Sequence, residues 1–304
     1  MSTFCEDRVC VITGAGRGIG REYALMLASH GAKVVVNDLG STRDGIGEDR
    51  GPAAEVVAEI EAAGGEAIAN GSDVSDFEQA KQMIEQAVDT YGRLDVLINN
   101  AGILRDRMLV NMSEDEWDAL IQVHMKGTFA PAHHAGRYWR NQSKAGTPID
   151  ARLINTASAS GIYGNAGQTN YGAAKAGIAA FSIIASRELE RYGVTVNCIA
   201  PGGLTRLTED LYPGEITDEM RAAQSPRWVA PIVTWLASRE SSGVTGRVFE
   251  ATGGVLAIAE GWHRGPCVEP VEDPTILGPI VRDLVKGARL NAGMNGEDLD
   301  GGLG

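Results

Sequence analysis

Basic residues are in deficit in this chain: 27 lysines and arginines face 40 aspartates and glutamates, a formal net charge of −13 over 304 residues. A nucleic-acid partner is therefore not expected, because such a partner demands a positive surface. Any anionic ligand must be held by local donors rather than by the overall field. Cysteine is scarce too, and Cys5, Cys10, Cys198 and Cys267 stand in no metal or redox spacing. That excludes a disulfide framework and leaves free thiols in a reducing compartment as the simplest account. No apolar run approaches the roughly 20 residues that span a bilayer, so no membrane partner is expected. The first residues, MSTFCEDRVC, lack the basic region and apolar stretch of a secretory signal. What is present, 43% hydrophobic and 22% charged residues, suits one large α/β domain with a buried core.

Arg8 to Thr13 (RVCVIT) reads as a buried strand, followed by Gly14, Gly16, Gly18 and Gly20 and then a helix from Arg21 to His30. A strand, a glycine turn and a helix N-terminus form an anion site, since unpaired N–H groups and the helix dipole face a phosphate. The spacing Gly14-x-x-x-Gly18-x-Gly20 is not the general Gly-x-Gly-x-x-Gly. A second strand, Lys33 to Asp38, ends in an acid 18 residues beyond Gly20, where a carboxylate grips ribose hydroxyls. A carboxylate there repels a 2′-phosphate, and no basic residue follows until Arg43, which favours NAD over NADP.

Strands and helices alternate onward: Glu66 to Asn70, a helix from Phe77 to Tyr91, Leu94 to Asn99, Ala151 to Ala157, Val194 to Ala200 and Arg247 to Ala251. Ser113-x-x-Glu116 predicts a capping box opening a helix through His124. The alternation predicts a single doubly wound Rossmann-type α/β domain over residues 1–262, about seven parallel strands with helices on both faces. Gly40 to Pro52 and Tyr138 to Asp150 are predicted as additional connections. Residues 263–304 form a C-terminal extension, helical from Gly278 to Leu290 and then Gly/Asp-rich and disordered.

Tyr171 and Lys175 are one helical turn apart, so phenol and ammonium share a face. An unperturbed tyrosine holds its proton to a pKa of about 10; the neighbouring ammonium is expected to lower that value into the working range. Ser158, at the carboxyl end of a strand, can donate to an oxygen on which charge develops. Together they form a proton-handling site for a C–OH/C=O couple.

Gly14-x-x-x-Gly18-x-Gly20, Asp73-Val74, Asn99-Asn100-Ala101-Gly102, and Ser158 with Tyr171-x-x-x-Lys175 resemble the short-chain dehydrogenase/reductase pattern, from about Asp7 to Gly254. The runs NNAGILRDRM (99–108) and SASGIYGNAGQTNY (158–171), with Asn37 to Gly40 and Val123-His124-x-Lys126-Gly127, resemble one branch. That branch is the (3R)-hydroxyacyl-CoA dehydrogenase part of peroxisomal multifunctional enzyme type 2 and its bacterial stand-alone relatives. The resemblance implies that Gly14, Arg17, Gly18, Ile19 and Gly20 surround the pyrophosphate of NAD, with Asp38 on the ribose. It places Asp73 and Val74 at the adenine, Asn99, Ala101 and Gly102 beneath the cofactor, and Pro201 and Gly202 along the nicotinamide. Ser158, Tyr171 and Lys175 carry the chemistry, the last two also touching the nicotinamide ribose. His124 stands where most of the superfamily has a relay asparagine, and Arg206 where many relatives have threonine.

The implied reaction is NAD-dependent oxidation of a secondary alcohol, a (3R)-3-hydroxyacyl-CoA first of all. The alternatives are reduction of a 3-oxoacyl thioester or a ketosteroid and, in another class, a non-catalytic dinucleotide-binding regulator. The chain ends Gly301-Gly302-Leu303-Gly304, without a peroxisomal tripeptide, so a bacterial cytoplasmic enzyme is expected, dimeric or tetrameric by family habit. Blander readings stand beside these. His124 is either a relay or a satisfied core histidine. Arg105 and Arg107 meet CoA phosphates or face water. Glu114, Asp115, Glu116 and Asp118 are a solvated first helical turn. His133-His134 are not spaced to share a metal.

Overall fold

The structure, a computed structural model, describes residues 3–42, 44–47, 49, 51–205, 209 and 214–299. Strands rich in Val, Ile and Leu suit a sheet covered on both faces, and all but the two edge strands are largely buried on each. They are β1 (Val9–Thr13), β2 (Lys33–Asn37), β3 (Glu66–Asn70), β4 (Val96–Asn99), β5 (Ala151–Thr156), β6 (Val194–Pro201), β7 (Val248–Ala251) and β8 (Leu256–Ala259). The sheet order is β3-β2-β1-β4-β5-β6-β7-β8. The first seven strands run parallel and β8 returns antiparallel on β7. That eighth strand was not expected. It follows a tight turn at Gly253-Gly254 closed by the bond from Thr252 N–H to Val255 O, and four small apolar residues carry too little pattern to announce it.

Helices cover both faces, and the short α6 (Ala159–Ile162) and α8 (Asp218–Ala223) lie in the connections after β5 and β6. Residues of α1 (Gly18–Ser29), α2 (Gly51–Ala62) and α9 (Ala230–Ala237) pack over Ile12, Val34, Val36 and Ile98. Those of α3 (Phe77–Tyr91), α5 (Gly127–Lys144) and α7 (Thr169–Leu189) pack over Val11, Val35, Leu97 and Leu153. Trp139 of α5 is fully buried, and its indole N–H donates to Leu94 O at 2.7 Å. A buried aromatic of this size contributes about 4–6 kcal/mol by area, several times the net value of its one hydrogen bond.

Local chemistry sets the helix ends. Asp76 caps α3 by accepting from Glu78 and Gln79 N–H, and Gly92 ends it at φ 80°. The Ser113/Glu116 capping box is formed at the start of α4 (Glu114–Ile121). This helix does not run as α to His124: Gln122–Lys126 widens into a π turn before α5. Tyr138–Lys144, expected as an irregular connection, continues α5, so only 145–150 is loop there. Pro52, expected in a loop, sits at the start of α2, where its missing N–H costs nothing.

Candidate active site

The strand order reverses between β1 and β4, and ligands of such sheets bind at the carboxyl edge of that switch point. There the glycine turn is packed too closely for side chains. Gly14 has φ +63°, and a Cβ on it would lie 2.7 Å from Ala101 Cα. A Cβ on Gly16 would meet Pro52 and the Asp38 carboxylate, and one on Gly20 would collide with Gly14 O. Gly18, at φ +55°, opens α1 after Arg17, whose side chain makes no cap. The first N–H groups of α1 are thus available to a pyrophosphate, and Ile19 packs beneath them on the core. Thr13 ties the turn to the loop after β4: its hydroxyl accepts from Asn100 and Ala101 N–H at 2.9 and 3.1 Å.

The other expected cofactor contacts converge on the same edge. Asp38 accepts from Gly16 N–H at 2.8 Å and from Gly40 N–H at 2.7 Å. Asp73 accepts from both the N–H and the hydroxyl of Ser75, and Val74 is buried against Gly127. Asn99 ends β4 with its amide donating to Asn155 at 2.9 Å, while its own Oδ1 is buried without a partner among the described residues. Gly102 faces His124, and Pro201 ends β6 with Gly202 just after it, its N–H donating to Ala251 O. Crowded glycines, uncapped helix donors and a carboxylate at the second strand fit a dinucleotide.

Ser158 follows β5 and Tyr171 and Lys175 lie on α7, which the fold lays beside it. The Ser158 hydroxyl stands where it favours the ionised form of the Tyr171 phenol. Lys175 is buried, with Nζ donating to Thr156 O at 2.7 Å and lying 5.6 Å from the centroid of the Tyr171 ring. The electrostatics differ from the sequence expectation. Desolvation pushes the half-buried tyrosine up to about 12, against the pull of Ser158, with Asp106 adding to the rise. Burial brings Lys175 down to about 8. The reason is that Lys175 turns its ammonium to the Thr156 carbonyl, so desolvation outweighs its attraction for a phenolate.

His124 sits on the π turn, 2% exposed, edge-on to the Tyr171 ring at 5.3 Å between centroids. Its Nε2 lies 2.8 Å from Ile103 O, and its Nδ1 has no partner among the described residues. Burial, reinforced by Lys175, pushes it down to about 3, so at neutral pH it is an uncharged imidazole.

Several contributors carried no signal in a single sequence. Asn155 links Asn99 to Ser182. Gln168 and Asn170 tie the segment before Tyr171 to the loop after β4. The Tyr163 hydroxyl donates to Glu250 at the end of β7. Arg105 is turned to Asp44 O and Arg107 pairs with Glu116 at 3.0 Å. His134 bonds Phe77 O at 2.9 Å, and both histidines pack on the Phe77 ring. Among the described residues, no group of three His, Cys, Asp or Glu side chains is placed to hold a metal. Arg43 and Arg206 lie outside the described residues.

This geometry has close relatives. The family model for short chain dehydrogenases matches residues 8–215. A solved short chain dehydrogenase from Mycobacterium avium is 50% identical, with a TM-score of 0.86 over 95% of this chain and 98% of that one. The hydroxyacyl-CoA dehydrogenase ChsB1 of Mycobacterium tuberculosis is 40% identical over 98% of this chain and 95% of that protein. The peroxisomal hydratase-dehydrogenase-epimerase of Neurospora crassa is 44% identical over 85% of this chain, which spans only 27% of that longer protein. The chain belongs to the short-chain dehydrogenase family and is an oxidoreductase that acts on CH–OH groups with a nicotinamide dinucleotide.

Proposed function

We propose that this protein oxidises a (3R)-3-hydroxyacyl-CoA to the 3-oxoacyl-CoA with NAD as hydride acceptor. The observation that carries the substrate is the nearly end-to-end similarity to a hydroxyacyl-CoA dehydrogenase. The position of Asp38 against the glycine turn supports NAD.

A bound nicotinamide would supply the acceptor for the hydride from C3. The chain's residues handle the proton. Ser158 donates to the substrate oxygen and holds it beside Tyr171, whose phenolate takes the hydroxyl proton. Lys175 supplies positive charge on the same helix face and is fixed by Thr156 O. Positioned proton transfer of this kind contributes on the order of 10² to 10⁴ in rate. Burial holds the phenol protonated, so oxidation should accelerate as pH rises and reduction should be favoured at lower pH. Exposed Phe129 on α5 and Ile184 on α7 support association into a homodimer or homotetramer. The buried free thiols Cys5, Cys10 and Cys198 suit a cytoplasmic location.

The test is reduction of NAD and NADP with (3R)- and (3S)-3-hydroxyacyl-CoAs of several lengths and with a hydroxysteroid, repeated with Tyr171→Phe. Turnover of the (3R)-thioester with NAD, lost in the variant while NAD still binds, is the expected result. Turnover of the steroid alone, or only reduction with NADPH, would overturn the substrate or the cofactor.

A further inference from the structure

The loop after β4 is fastened to the start of α7 by three consecutive residues. Arg107 N–H donates to Gly167 O at 2.7 Å, Gln168 Nε2 donates to Asp106 Oδ2 at 2.8 Å, and Asn170 Nδ2 donates to Arg105 O at 3.0 Å. Gln168 and Asn170 are buried. The Gln168 side-chain Oε1 also accepts from Ser160 Oγ at 2.7 Å and Asn165 Nδ2 at 3.0 Å, and Asn170 Oδ1 accepts from Tyr171 N–H at 2.8 Å. The residues immediately before Tyr171 are thereby held from one side by the loop and from the other by the segment after Ser158.

Arg105 and Arg107 use backbone groups in these bonds, so Asp106 alone among the three brings a side chain, and a charge, to the fastening. An asparagine there would accept from Gln168 equally well. The second carboxylate oxygen, Oδ1, is buried and has no hydrogen-bond partner among the described residues. A buried, unsatisfied carboxylate oxygen is costly where a neutral amide would do, and such groups call for a reason beyond anchoring.

We infer that Asp106 is a positioning residue for Tyr171: it anchors the first turn of the catalytic helix through Gln168 and brings an unneutralised carboxylate to that anchor. This rests on Tyr171 being the acid/base. The groups that act on the phenol are Ser158 after β5, Lys175 on its own helix, His124 on the π turn and, through its charge, Asp106 on the loop. His124 is neutral and Lys175 is committed to Thr156 O. Burial is the main reason the phenol keeps its proton, and the Asp106 carboxylate adds to that effect against the pull of Ser158. The consequence is an enzyme whose tyrosine serves readily as a proton donor at neutral pH and becomes a base only as pH rises.

The test compares wild type, Asp106→Asn and Asp106→Ala with NAD and (3R)-3-hydroxybutyryl-CoA across pH. It is joined by ultraviolet titration of tyrosinate, with Tyr171→Phe partners subtracted. Asp106→Asn keeps the acceptor for Gln168 and removes the charge. Its rising limb of kcat/KM should move to lower pH by about half to one unit, a gain of roughly 3- to 10-fold below the limb. Asp106→Ala should lose rate at every pH as well; should it fail to fold, Asp106→Asn still decides. A limb unmoved in a folded Asp106→Asn protein, or an equal loss at all pH values, would overturn the inference. Turnover surviving in Tyr171→Phe would overturn the acid/base assignment on which it rests. Should wild type leave the thioester untouched, the proposed substrate falls, and the tyrosinate titration still decides Asp106.

Discussion

Asp38 accepts a 2.8 Å hydrogen bond from the backbone N–H of Gly16, joining the end of the second strand to the middle of the glycine turn. The carboxylate is fixed by backbone groups at the switch point of the sheet, where it can accept from ribose hydroxyls and repel a 2′-phosphate. Asp38→Ala removes both effects. The kcat/KM preference for NAD over NADP should fall by about tenfold or more, the weight of one charge-assisted hydrogen bond. Steady-state rates with each cofactor measure it, and a preference unchanged within about twofold would remove Asp38 from cofactor selection.

His124 makes the fold sensitive to acid. An unfolded histidine takes up its proton near 6.5, whereas His124 does so only near 3 in the fold, because burial penalises the cation. Between these values the unfolded chain binds one proton more than the folded one. Stability is therefore lost as pH falls from 6.5 toward 3, on the order of 4 kcal/mol by the lower end. His124→Asn should lose less over that window, so its urea midpoint should gain on wild type as pH drops. Parallel curves for the two proteins would show that the imidazole is not held neutral.

The parts legible in the sequence are those fixed by a local pattern. Glu66–Asn70 and Phe77–Tyr91 match the expected bounds because alternation, the Asp76 cap and Gly92 lie within one short window. The glycine turn, Asp38, Ser158 and Tyr171-x-x-x-Lys175 were visible as spaced residue types, and the fold brings them to one sheet edge. The direction of the Tyr171 shift was not legible. Spacing places Lys175 on the right face, yet the outcome depends on burial and on a carbonyl 19 residues away, Thr156 O. Asp106 was likewise only one letter in NNAGILRDRM, since its partner Gln168 lies 62 residues on. The π turn at His124 was hidden for a related reason: the sequence there is ordinary helix former, and packing against Tyr171 accompanies the wider turn.

Asp150 holds two buried arginines at the opposite edge of the sheet. Its carboxylate pairs with Arg8 at 3.0 Å and with Arg152, both of them about 1% exposed. Arg152 also donates to Ser238 O and Ser241 Oγ, so its guanidinium cannot simply turn out to water. Asp150→Ala leaves both cations short of their counter-ion. A fully buried pair broken on one side loses roughly 3–5 kcal/mol; Asp150 is partly open to solvent, so about 2–3 kcal/mol is expected here. Urea unfolding at neutral pH measures it. A loss below about 1 kcal/mol would show that water and the serines satisfy the arginines without the carboxylate.

The C-terminal extension should be separable from the fold that carries the site. No described residue after Trp262 is buried, including all of α10 (Leu277–Gly287). The extension returns to the body near Tyr163, where a Cβ on Gly296 would lie 3.1 Å from the phenol oxygen. Tyr163 stands in the segment between Ser158 and Tyr171 and donates to Glu250, so this contact borders the active site without forming core. Removal of residues 263–304 should therefore leave the thermal midpoint within about 2 °C, as for changes that touch only the surface. KM for a long-chain thioester should change severalfold as Tyr163 loses its neighbour. Leu277, Ile280, Val281, Leu284 and Val285 lie at helical spacing on α10, a stripe suited to burial against another copy. A fall in midpoint of more than about 5 °C, with a smaller species in sedimentation, would place that stripe between subunits. The same fall without a change of species would place the extension in the core and refute a boundary at residue 262.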